Sequence, residues 1–264
     1  MPALDDPFAQ LTGPLAGTTR MQFQVVSNAA VTPHMQRLVL TAPELAAFSY
    51  RPGQDVMLMV AVDGNRPLRR RYTIRDLDPA GQRLTMDIVR HGDGPGERWL
   101  RAARPGDTIE GIGPRGKIFP APDADWHLFA ADESALAAVF AMVGSLPAGT
   151  RAIVLLEVPE PADEQPLDAK ADVTLRWLHR SAGGGDGDGR IAPAGDPERL
   201  AAALTGIRLP DGHGHAYLFG EAKVVLALRE MVANRGLAAE QVSPKAYWGR
   251  GKANAAHGEP TRDG

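Results

Sequence analysis

The sequence predicts a two-part fold: an N-terminal antiparallel six-stranded β-barrel, followed by an α/β unit built on a parallel sheet. Three observations predict it. Before Pro120 the chain reads as short strands separated by turn residues with little helix. After Pro120-Ala121-Pro122 apolar strands alternate with helices. The length, 264 residues with 44% hydrophobic and 23% charged, suits a soluble globular chain with two modest cores. The expected divisions are a lead-in over 1–19, the barrel over 20–120, the α/β unit over 121–258 and a tail over 259–264.

The lead-in is rich in Pro, Gly, Ala and Asp and has no periodicity. Met21 to Val26 and Met35 to Thr41 alternate apolar and polar residues, and Asp55 to Val62 is an apolar run introduced by the turn Arg51-Pro52-Gly53. Leu68 to Ile74, Leu84 to Val89 and Thr108 to Ile112 complete six strands. A glycine-rich turn, His91-Gly92-Asp93-Gly94-Pro95-Gly96, leads into one helix, Glu97 to Arg104. Beyond Pro122 the strands are Trp126 to Ala131, Arg151 to Val158, Val173 to Leu178 and Ala216 to Phe219. The helices are Ser134 to Val143, Glu198 to Leu204 and Glu221 to Arg235. In the last of these Val224, Val225, Leu228, Met231 and Val232 share one side, and Gly236 ends it.

Arg69 to Arg75, R-R-R-Y-T-I-R, places four arginines around a tyrosine and a threonine on one strand. Alternation puts Arg70, Tyr72 and Ile74 on one face and Arg69, Arg71, Thr73 and Arg75 on the other. A ring, a guanidinium fork and a hydroxyl suit a flat heterocycle with a phosphate tail, a flavin nucleotide. The same run also reads as an edge strand guarded by basic residues. About 20 residues on, the glycines and Pro95 at the first helical position let the amides of residues 95 to 97 hold a pyrophosphate. An ordinary capped helix with Glu97 in its first turn is the alternative.

Composition excludes several classes. With a net charge of −3 there is no basic excess for a general nucleic-acid binder. With no cysteine, disulfides, thiol catalysis and cysteine-held zinc or iron–sulfur clusters are out, so electrons would travel through a bound organic cofactor. No apolar run reaches membrane-spanning length and no secretory leader is evident, so a cytoplasmic protein is expected. His213 and His215 form an H-x-H, but they lack acidic partners at helical or strand spacing, and no metal site is expected.

R-R-Y-T-I-R at 70–75, D-I-V-R-H-G-D-G-P-G-E-R-W at 87–99, G-P-R-G at 113–116, D-E-S-A-L at 132–136, W-L-H-R at 177–180, G-E-A at 220–222 and Y-W-G-R-G at 247–251 occur in one order. Together they resemble the siderophore-interacting protein family, flavin-dependent ferric-siderophore reductases of the ferredoxin-reductase-like superfamily. The resemblance implies FAD in the barrel, with Arg70 on its phosphates, Tyr72 against the isoalloxazine and Thr73 at the ring edge. Tyr72 and Thr73 would be the catalytic pair. Asp87, Val89 and His91 would run along the nucleotide, with Pro95, Gly96 and Glu97 at the pyrophosphate. Ser134, Glu221 and Arg180 would serve a nucleotide in the second unit, and Trp248 would pack near the flavin. Arg180 also reads as a solvated loop arginine. Lys245, Arg250 and Lys252 around Tyr247-Trp248 would bind an oxygen-rich ferric chelate, or would be a solvated basic tail.

NADPH, NADH or reduced ferredoxin would be the donor and a ferric siderophore the acceptor. Neither nucleic acid nor a membrane span is expected, and the chain would be a monomer. The family often has alanine-serine where this chain has Gly96-Glu97. No G-x-G-x-x-G follows the first strand of the second unit; Asp132 and Glu133 stand there instead, with helix capping as their main role. A reductase with another acceptor, and a flavin or ferric-siderophore binding protein without redox turnover, are the alternative functions.

Overall fold

The structure, a computed structural model, describes residues 17–63, 66–181 and 191–250. Seven strands form an antiparallel sheet: β1 (Thr19–Thr32), β2 (Met35–Thr41), β3 (Asp55–Asp63), β4 (Arg66–Thr73), β5 (Asp76–Asp78), β6 (Arg83–Val89) and β7 (Thr108–Arg115). Their order is β4-β3-β7-β1-β2-β6-β5, so β4 and β5 are edges. The sheet curls without closing: the amide of Arg75, just past β4, donates to Thr85 O of β6 at 2.8 Å. The expected barrel is therefore an open one, with the short β5 as a seventh strand.

Period-2 patterning builds its core. Met21, Phe23 and Val25 on β1, Leu38 and Leu40 on β2, Val56 and Leu58 on β3, and Leu84 and Met86 on β6 all point inward and are buried. Each such side chain contributes about 1.5–3 kcal/mol by leaving water. β1 runs well past Val26 because it pairs with β7 through its first half and β2 through its second, and the register shifts near Val25 and Ala30. Helix α1 (Pro95–Ala102) packs Leu100 onto this core.

The second sheet is parallel, in the order β10-β9-β8-β11-β12, from β8 (Trp126–Asp132), β9 (Arg151–Val158), β10 (Asp172–His179), β11 (Gly214–Glu221) and β12 (Val242–Trp248). Central strands β8 and β11 are buried along their whole length, which requires cover on both faces. Helix α2 (Leu136–Gly144) covers one face; α3 (Glu198–Thr205) and α4 (Ala222–Asn234) cover the other. β12 corrects the sequence reading, which places these residues in the α/β unit but assigns them no strand. Its pattern is irregular and contains Pro244, which an edge strand tolerates because a missing N–H need not break a ladder.

The two sheets share a core. Met35, Val89 and Ile118 from the first pack with Phe140 and Met142 of α2, and Arg75 lies over the Phe140 ring at 4.9 Å. Gly53, at φ +105°, has no room for a side chain, since a Cβ would lie 2.4 Å from Ile118 O. No helix among the described residues is long and apolar enough to cross a membrane.

Candidate functional site

β4 is the edge strand on which the cations and the aromatic ring sit, paired to β3 with Tyr72 opposite Val56 and Arg70 opposite Leu58. Its two faces do different things. On one, Tyr72 packs against the barrel core, and burial pushes its phenol well above the usual tyrosine range, so it stays a neutral donor. The N-terminus of α1 lies against this face. A Cβ on Gly96 would fall 2.7 Å from Tyr72 Oη and 3.1 Å from Arg70 Cγ, so only glycine permits this approach.

Arg70 donates to the carbonyl of Arg69 at 2.8 Å, and no carboxylate among the described residues pairs with it. Gly96, at the start of α1, packs against Arg70, and the amides of Gly96 and Glu97 precede the first intrahelical bond, from Arg98 N to Gly94 O at 2.9 Å. Pro95 has no N–H, so the expected three-amide cradle is one of two amides. The Glu97 carboxylate lies 3.6 Å from Arg101 Nε, one turn along the helix, and its charge adds to the burial that keeps the Tyr72 phenol neutral. A guanidinium with no carboxylate partner among the described residues, packed beside a helix N-terminus, fits the pyrophosphate of a flavin nucleotide.

The opposite face of β4 looks to the second sheet. Arg71 grips buried Asp55 with two bonds, Nε at 2.8 Å and Nη2 at 2.6 Å, and Lys245 of β12 reaches the same carboxylate at 3.5 Å. Thr73 Oγ1 is 3.4 Å from Tyr247 Oη. Lys245 is thus a buried strand residue facing Asp55, not part of a solvated tail. Asp55 was missed by sequence reading; its only signal was a carboxylate at the mouth of an apolar strand.

Asp87 also differs from expectation. Its carboxylate is held by Arg37 at 2.7 and 2.8 Å and lies 3.6 Å from Arg75, so it orders the sheet and is not open to a nucleotide. Val89 is half-buried in the shared core, and His91 is exposed in the turn before α1.

At the carboxyl ends of the parallel strands, the place where open sheets bind ligands, the chain fills its own crevice. Buried Asp132 accepts from Ser134 N at 2.9 Å, from Ser134 Oγ, from Glu221 N at 3.0 Å and from Trp248 Nε1 at 2.9 Å. A Cβ on Gly220 would lie 2.5 Å from its carboxylate. Burial, reinforced by Glu133, raises Asp132 to about 6 despite those donors. Glu221 caps α4, accepting from Lys223 N and Val224 N, and takes Arg250 N at 3.2 Å. Ser134, Glu221 and Trp248 therefore meet around Asp132, and a phosphate at this helix start would face carboxylates. Arg250 turns aside, its Nε 2.8 Å from Ala194 O. Lys252 lies outside the described residues.

Arg180 is neither a solvated loop residue nor open to a nucleotide. It is buried, forked onto Glu133 at 2.7 and 2.6 Å, with Glu157 at 3.3 Å. Desolvation raises Glu157 to about 7, outweighing the opposing pull of Arg180 and Arg199. The unfolded chain ionises this group near the ordinary glutamate value and the folded chain near 7. Stability attributable to it is therefore full below about 4.5 and is lost as pH rises through about 7. Glu157→Gln should leave the melting temperature at pH 5 nearly unchanged and flatten its fall towards pH 8. An identical pH slope in the variant would show that Glu157 is ionised throughout.

Comparison with known proteins agrees with this geometry. Residues 59–118 match the siderophore-interacting FAD-binding domain, and residues 124–251 match the siderophore-interacting protein family. The chain is 34% identical over 268 residues to an uncharacterized protein of Mycobacterium tuberculosis, covering 90% of this chain and 93% of that one. It is 30% identical over 203 residues to the ferric vibriobactin reductase ViuB of Vibrio cholerae, covering 74% and 69%. The crystal structure of a siderophore utilization protein from T. fusca superposes with a TM-score of 0.78 at 30% identity, covering 93% of this chain and 98% of that one. The chain belongs to the siderophore-interacting protein family, and its first sheet carries that family's FAD-binding domain.

Proposed function

We propose that this chain reduces ferric siderophores, with FAD as its resident cofactor and NAD(P)H or reduced ferredoxin as the source of electrons. The observation that carries the reading is the packing of Arg70, which has no carboxylate partner among the described residues, against the α1 N-terminus beside Tyr72. FAD, when bound, supplies an organic centre that accepts two electrons and can pass them on singly. The protein's part is placement. Arg70 and the Gly96 and Glu97 amides hold the pyrophosphate, Tyr72 gives a flat, neutral wall, and Thr73, steadied by Tyr247, presents a hydroxyl at the ring edge.

Iron enters inside its chelator as substrate. Hard oxygen ligands hold Fe(III) more tightly than Fe(II), so a one-electron reduction loosens the metal. Arg250 and Lys252 supply positive charge for the ferric chelate. Among the described residues the strand-end crevice is filled by Asp132 and Glu221, so in this reading the donor is held by other groups. In this reading the chain acts as a cytoplasmic monomer.

The test is an anaerobic absorbance scan of the FAD-loaded protein, first with NADPH or reduced ferredoxin and then with a ferric siderophore and an Fe(II) indicator. Flavin bands that bleach and then return as Fe(II) appears are expected. Bands that bleach and do not return with ferric chelates would assign another acceptor, and bands that no donor bleaches would assign a binding protein.

A further inference from the structure

The turn between β1 and β2 and the segment that follows β9 meet at a group of side chains that flavin chemistry does not use. Asp163 is buried, and its Oδ1 accepts from Thr32 Oγ1 at 2.8 Å and from His34 N at 3.0 Å. Its Oδ2 faces His34 Nδ1 at 2.8 Å, and Glu160 Oε1 lies 4.0 Å from the same nitrogen. One nitrogen and two carboxylates thus stand with donor atoms all within 4.8 Å of one another.

We propose that His34, Glu160 and Asp163 bind a first-row divalent cation that fastens the two sheets together. Two independent features argue for a cation. The first is charge. Among the described residues the only ion-pair partner of either carboxylate is His34, so two acids, one of them buried, face an imidazole where a lysine or arginine would ordinarily stand. A dication closes that balance. The second is orientation. The two donors on Asp163 Oδ1 fix the carboxylate and leave Oδ2 turned towards the imidazole, the arrangement that outer-shell hydrogen bonds impose on a ligating carboxylate.

An imidazole with two carboxylates suits Fe(II), Mn(II), Co(II) or Zn(II) better than Ca(II) or Mg(II), with water completing the shell. Glu164, next to Asp163 in sequence, faces His179 at 2.7 Å with no second carboxylate beside it, and only the His34 group brings three candidate ligand atoms together among the described residues. Spacing within one element could not reveal the site, because His34 and Asp163 lie 129 residues apart in sequence.

The untagged full-length chain, loaded with FAD, would be titrated with Co(II) and followed by calorimetry and by visible ligand-field bands. One equivalent is expected, with affinity falling at least tenfold in both His34→Gln and Glu160→Gln while flavin content stays unchanged. Asp163 is left intact because it also ties Thr32 and the His34 backbone. If His34→Gln fails to retain flavin, Glu160→Gln, at a half-exposed position, decides alone. No binding up to millimolar Co(II), or an affinity unchanged in Glu160→Gln, would overturn the proposal.

Discussion

Asp55→Ala should lower stability by about 3–5 kcal/mol, the cost of removing one partner from a buried charge group. For a chain of this size that is a fall of roughly 6–20 °C in melting temperature. Asp55 is 2% exposed and lies between Arg71 of the first sheet and Lys245 of the second, which is itself 8% exposed. Without the carboxylate, buried Lys245 and the partly exposed Arg71 lose the anion they share. Adding Lys245→Met to Asp55→Ala should recover part of the loss, because the cation with the greater desolvation cost is gone. Lys245→Met alone should change stability modestly and leave the apparent Michaelis constant for ferric chelate unaltered. A loss below about 1 kcal/mol in Asp55→Ala would mean that the group is solvated and does not join the sheets.

The same carboxylate shows where sequence reading stops. Elements with clear patterns, such as the alternation of Met35 to Thr41, the continuous apolar run of Arg151 to Val158 and the Val224-Val225-Leu228 face of α4, are legible because local pattern and global burial agree. β12 is not, since its side chains answer to the first sheet as well as to its own: Lys245 to Asp55 and Tyr247 to Thr73. Arg70, Tyr72 and Gly96 are legible as a set because their chemistry is unusual for a strand and a turn. Asp87 and Arg180 are misread for the opposite reason. Each has the right residue type beside a candidate site, but the partners that occupy it, Arg37 and Arg75 for one and Glu133 and Glu157 for the other, lie on different elements and leave no local trace.

Arg70→Ala should weaken FAD binding about 10- to 150-fold, the equivalent of a charge-assisted hydrogen bond of roughly 1.5–3 kcal/mol. The fold should hold, because among the described residues Arg70 donates to a neighbouring carbonyl and no carboxylate pairs with it. Arg70→Lys should recover part of the affinity: it restores the charge but not the planar fork that meets a phosphate with two bonds. Gly96→Ala is an independent probe of the same cradle, since its methyl would displace both Tyr72 Oη and Arg70 Cγ. It should weaken FAD although it removes no charge. Flavin fluorescence titration of the deflavinated protein reads all three. If Arg70→Ala binds FAD as tightly as the parent while Gly96→Ala does not, the helix amides hold the pyrophosphate alone. If neither changes, β4 and α1 merely pack together, and the basic residues of β4 guard an edge strand.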